Sequence, residues 1–211
     1  MTKAFAIVVA STVAFLGAGA AAASRGGADL RVHSVRRISA LSFEFVGQFQ
    51  NSAPGVTPPT HIHYGYLAYV GGLTAFGGTA QNETSALFTF SADAATQRVI
   101  PNGPLRIVTR VGRLTIYRDR STNGNFDRPE TFRDGTPVLV ARFRQQVVTD
   151  TVTNTFTTFH QNTIVSTHVF SAGGRTVRLG RVGQRFRSSF SGHVAMPGPP
   201  SGFLGGYAET G

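Results

Sequence analysis

The chain has 211 residues, with 20 Lys and Arg against 10 Asp and Glu, a formal charge of +10 and no cysteine. The lack of cysteine excludes disulfide frameworks, thiol nucleophiles and thiolate metal sites, so core packing, strand pairing or a bound metal must hold the fold. The cationic balance favours acidic partners, but the arginines are spaced singly along the chain, with Arg36-Arg37 the one adjacent pair, and read as a solvated basic face.

Taken in order, the chain opens with Lys3, an apolar run from Ala4 to Leu16 and small residues up to Ala23. That pattern is expected of a secretory signal peptide over residues 1–23; the run falls short of the ~20 apolar residues a membrane helix needs. Residues 24–211 are then one exported domain with no transmembrane span. In LSFEFVGQF, 41–49, Leu41, Phe43, Phe45 and Phe49 share one face, while Ser42, Glu44 and Gln48 share the other, which predicts a strand on a core. Further strands are expected at HIHYGYLAYV (61–70), SALFTFSA (85–92), QRVI and LRIVTRVGRLTIY around the turn PNGP (101–104), and PVLVARFRQQVV (137–148). The pattern continues through TFTTFHQNTIVSTHVF (155–170), RTVRLGRV (175–182), RFRSSFSGHV (185–194) and GYAE (206–209). No amphipathic helix appears after the signal. The fold class is all-β: one antiparallel barrel of about 8–10 strands, with a sandwich as the alternative, because long strands broken by glycine suit closure.

Three constellations carry chemistry. The dodecamer DRSTNGNFDRPE, 119–130, sets Asp119, Ser121, Asn123, Asp127 and Glu130 at calcium-loop spacing, with the Asn125 carbonyl between them and Gly124 at the bend. Calcium takes six to eight oxygen ligands, and glycine permits the sharp wrap, so a structural ion clip is one reading. A polar turn built on Asn-Gly and capped by Asp119 is the other. Second, His61 and His63 fall on one face of their strand, a start for a zinc site that needs a third ligand; His160 and His168 are expected to share a face, and His193 ends a later strand. Third, Glu44 and Glu209 are the two isolated strand carboxylates a catalytic reading would use. The aromatics Tyr64, Tyr66, Tyr69, Phe88 and Phe90 are the candidate ligand contacts, with core packing their competing role. No nucleophile elbow or phosphate loop is present, and no cofactor is required.

Gly112-Arg113-Leu114-Thr115-Ile116-Tyr117 and Gly202-Phe203-Leu204-Gly205-Gly206-Tyr207-Ala208 resemble wall segments of the secreted eight-stranded barrels of the dirigent and allene oxide cyclase group, over roughly Ser85 to Ala208. The resemblance implies a lumen for an apolar ligand and a homo-oligomer, often a trimer. The long acidic loop departs from that pattern, and no catalytic acid of either family can be placed here. Three functions follow as expectations: a secreted barrel binding a small apolar ligand or partner without turnover, an isomerase or cyclase of the allene oxide cyclase type, and a basic protein adhering to anionic polymers.

Overall fold

The computed structural model describes residues 34–195 and 200–210; the expected signal peptide, 1–23, lies outside them. The described residues form strands β1 (Arg36–Ile38), β2 (Ser42–Asn51), β3 (Thr60–Val70), β4 (Phe88–Asn102), β5 (Leu105–Arg118), β6 (Thr136–Asp150), β7 (Thr155–Thr167), β8 (Val169–Ala172), β9 (Arg175–Leu179), β10 (Arg185–Val194) and β11 (Gly202–Glu209). One short 3-10 turn, Pro129–Phe132, interrupts the β5–β6 connection. Eight strands close an antiparallel barrel in the order β10-β11-β2-β3-β4-β5-β6-β7. The all-β barrel expected from period-two patterning is therefore what the chain builds, and closure leaves no sheet edge to cover.

The lumen is filled from both ends of the size scale. Phe43, Phe45, Phe90, Phe186 and Phe190 are nearly inaccessible, and Phe45 meets Phe90 and Phe190 edge-on at 5.0 and 5.1 Å between ring centroids. Each such ring removes enough apolar surface from water to contribute about 1.5–3 kcal/mol, with edge-to-face contact adding to it. Opposite four phenylalanines stands a glycine on the paired strand: Phe143 faces Gly112, Phe156 faces Gly192, Phe49 faces Gly202 and Phe190 faces Gly206. A Cβ at Gly192 would lie 2.7 Å from Phe156 Cζ, closer than packed carbons come. Large and small thus alternate across neighbouring strands, which lets rings fold flat over the wall in a narrow bore.

The two ends differ. At one end the sheet β1-β9-β8 stands against the barrel: Leu179 of β9 is buried in the same core as Leu41 and Ile164, with Ile38 and Phe170 packed on it. Gly180 donates its N–H to Ile38 O, and Phe170 meets Phe88 at 5.7 Å. The long segment expected as one strand over 155–170 is split at His168 to make this sheet. The other end carries the β2–β3 loop and the β4–β5 hairpin, whose turn holds Gly103 at φ 57°, the left-handed conformation that Asn-Gly sequences favour.

An outer layer covers part of the wall. Tyr64 and Tyr66 are buried although they point away from the lumen, because Phe126 and Phe132 of the β5–β6 connection and Phe76 of the β3–β4 connection pack over them. Arg133 fastens this layer to the outer face of β4 through Ser91 Oγ and the Asp93 carboxylate. β3 is therefore buried on both faces.

Candidate functional site

The open end of the barrel holds a cavity of about 590 Å³, within the range of small-molecule sites. Its apolar wall includes Phe49, Val108, Val147 and Phe156, and its polar lining includes His61, His63, Arg106, Arg110, Gln145 and Thr158. No Asp or Glu is among the lining residues.

Alternation along β3 aims His61 and His63 inward, and closure of the barrel brings His160 of β7 to them. His61 Nδ1 lies 2.6 Å from Asn51 Oδ1, and its Nε2 lies 2.5 Å from His63 Nε2. The amide oxygen only accepts, so His61 carries its proton on Nδ1 and its lone pair on Nε2; His63 must then donate through Nε2. Both rings are neutral in this arrangement. Burial first, then the neighbouring imidazoles and the Arg110 guanidinium, holds His61 and His63 well below the usual histidine range. Burial and Arg110 push His160 down to about 3; its ring lies between Phe143 and Phe190 at 4.8 and 4.9 Å. Arg110, which donates through Nε to Thr96 Oγ1 at 3.4 Å, falls to about 10 through burial and Arg106 and so keeps its charge at neutral pH.

In and next to the cavity wall several polar atoms are buried without a protein partner: both amide atoms of Gln145, Thr158 Oγ1 and His160 Nε2. Folding leaves such groups unmatched only at a cost of about 1–3 kcal/mol each. They are concentrated on β6 and β7, where Gln145 faces His160 and Thr158 stands one pleat along.

The sequence candidates are distributed differently from expectation. Tyr64 and Tyr66 lie outside the lumen under the covering loops, and Tyr69 is exposed on the outer wall. Phe90 belongs to the phenylalanine stack, and Phe88 sits at the closed end with the Arg118 guanidinium 4.9 Å from its ring; none of these five lines the cavity. Glu44 and Glu209 are exposed on the outer face, Glu44 opposite Tyr207 and Glu209 opposite Arg187, so neither carboxylate reaches the lumen. His168 and His193 are exposed as well, His168 bonded to Ser166.

For zinc, the Nε2 contact between His61 and His63 occupies the lone pair through which His61 would bind a metal. Among the described residues no three His, Cys, Asp or Glu side chains gather in a metal-holding group. In the 119–130 loop, Asp119 is buried and its Oδ1 accepts from the Ser121 and Thr122 amides. Asn123 donates to Asp134, the Asn125 side chain accepts from the Asp127 amide, and Glu130 is exposed and paired with Arg128. Asp119 Oδ2 is buried without a partner among the described residues, while Asn123, Asn125 and Glu130 are engaged in separate contacts, and Phe126 of the loop covers Tyr64 and Tyr66.

No protein-family model, no curated protein and no solved structure matches the chain. The likeness to dirigent and allene oxide cyclase barrels rests on the strand segments quoted above.

Proposed function

We propose that the protein binds a small amphipathic acid in the open end of its barrel, without turnover. The observation that carries this reading is the cavity's lining: apolar walls, two arginines, histidines and no carboxylate. An apolar ligand body would lie against Phe49, Val108, Val147 and Phe156. Its acid group would meet Arg110, with Gln145 and Thr158 supplying hydrogen bonds that the fold itself leaves unmade. An ionised acceptor suits this set because a guanidinium–carboxylate contact is about twice as strong as a neutral one. The exposed positions of Glu44 and Glu209 favour binding over a cyclase reading.

Calorimetric titration with octanoate and with octanol tests it. Octanoate is expected to bind at least tenfold more tightly than octanol, and Arg110→Met is expected to lose about tenfold or more for the acid while leaving the alcohol unchanged, as the loss of one charged hydrogen-bond partner at about 1.5–3 kcal/mol implies. Equal affinity for the two, or no binding of either, overturns the reading.

A further inference from the structure

The outer wall opposite the covering loops gathers the arginines that the sequence scatters. Strand register sets Arg113, Arg142, Thr163 and Arg185 side by side across β5, β6, β7 and β10. One pleat along, Val111, Arg144, Gln161 and Arg187 repeat the order. Long arginines on β6 and β10 thus flank shorter side chains on β7, and the result is a trough of about 670 Å³ lined by Arg142, Arg144, Gln161, Thr163, Arg185 and Arg187. Its arginine walls stand roughly 10 Å apart, twice the spacing of neighbouring strands. All five arginines are exposed, and none forms an ion pair among the described residues. The carboxylates nearest by register lie at its margins: Asp93, opposite Arg113, is taken by Arg133, and Glu209 stands opposite Arg187.

The floor of the trough runs along β7 from Thr163 through Gln161 to Phe159, whose ring is 57% exposed. In the same row Phe159 faces Ser189, and Ser189 faces Tyr207, itself 55% exposed. A cationic groove that ends on open aromatic faces has the two parts that hold a single nucleic-acid strand: guanidinium forks for successive phosphates and rings for unstacked bases. The trough is too narrow for a duplex, and the convex wall has no helix or ribbon to enter a groove. A phenylalanine ring, lacking any polar handle, offers its face alone, which suits a nucleobase. We propose that this trough binds a short segment of single-stranded nucleic acid, with phosphates along Arg142, Arg144, Arg185 and Arg187 and a base on Phe159.

The test measures anisotropy of a labelled oligothymidylate across a salt series, with heparin and a duplex of equal length as competitors. Four phosphate contacts on a single strand give a log–log salt slope of about −3. The pair Arg142→Ala and Arg144→Ala is expected to weaken binding and to halve that slope. Phe159→Ala is expected to weaken binding about tenfold, as the loss of one stacked base does, with the slope unchanged. The pair Arg36→Ala and Arg37→Ala on β1 removes the same charge elsewhere and is expected to leave both quantities close to those of the parent. All of these positions are exposed, so melting temperatures should stay within a few degrees. Three results would sink the proposal: no binding at low salt, an equal loss in the β1 pair, or heparin outcompeting the oligonucleotide with no effect of Phe159→Ala.

Discussion

Moving from pH 7 to pH 5 is expected to remove several kcal/mol of folding stability, most of it through three side chains in the lumen. His61, His63 and His160 are held neutral in the fold, with pKa values below the ordinary 6.5. The unfolded chain binds protons there that the folded chain refuses, so their contribution is complete above pH 6.5 and is lost as pH falls below it. His160, at about 3 in the fold, stays neutral at pH 5 and costs about 2 kcal/mol there, and His61 and His63 act in the same direction, against the roughly 5–15 kcal/mol that holds a domain of this kind. Glu130 and Asp150, whose pKa values are lowered by backbone hydrogen bonds, act only further down, below the ordinary carboxylate range. Urea midpoints taken between pH 7 and 5 measure the loss. His160→Leu keeps the packing between Phe143 and Phe190 and should flatten the pH dependence by about one proton. An unaltered slope in that variant, or stability indifferent to pH over this window, would contradict the placement of these rings.

Phe45→Ala should be the most damaging single truncation in the barrel, at about 3–5 kcal/mol. Phe45 is 1% exposed and touches Phe43, Phe90 and Phe190, rings contributed by β2, β4 and β10. A side chain that ties strands from opposite sides of the bore leaves a void the closed wall cannot collapse to fill. Phe203→Ala is the matched control, since Phe203 is 51% exposed, and it should change stability by less than about 0.5 kcal/mol. Denaturant unfolding of the two variants separates the cases. Similar losses in both would mean that Phe45 does not sit in the stack.

The strands were readable because alternation marks one buried face, and LSFEFVGQF and RFRSSFSGHV show it without ambiguity. PNGP named its own hairpin through turn chemistry. What alternation cannot say is which face a covering loop will also bury. Tyr64 and Tyr66 read as lumenal partners because they are aromatic, yet parity puts them opposite His61 and His63, and only the distant residues Phe76, Phe126 and Phe132 explain their burial. The histidine group was half legible: His61 and His63 share a strand, whereas His160 joins them only once β7 and β10 complete the circle. The arginine trough was hidden for the same reason. Arg142, Arg144, Arg185 and Arg187 look scattered along the chain, and only register makes them neighbours. The period-two spacing within each pair was the available signal.

The sheet β1-β9-β8 makes the lumen a well with a floor and one mouth. An acid bound as proposed would enter and leave by the same route, so arrival and departure would share a single transition state at the rim formed by the β2–β3 loop. Stiffening that rim would slow both rates together and leave affinity unchanged. In the proposed complex the leading end of the acid would be the end that reaches Gln145 and Thr158, and its trailing end would stay at the mouth. On that proposal the barrel would read the head of the acid strictly and its length loosely, since an extra methylene or two would stand out into water.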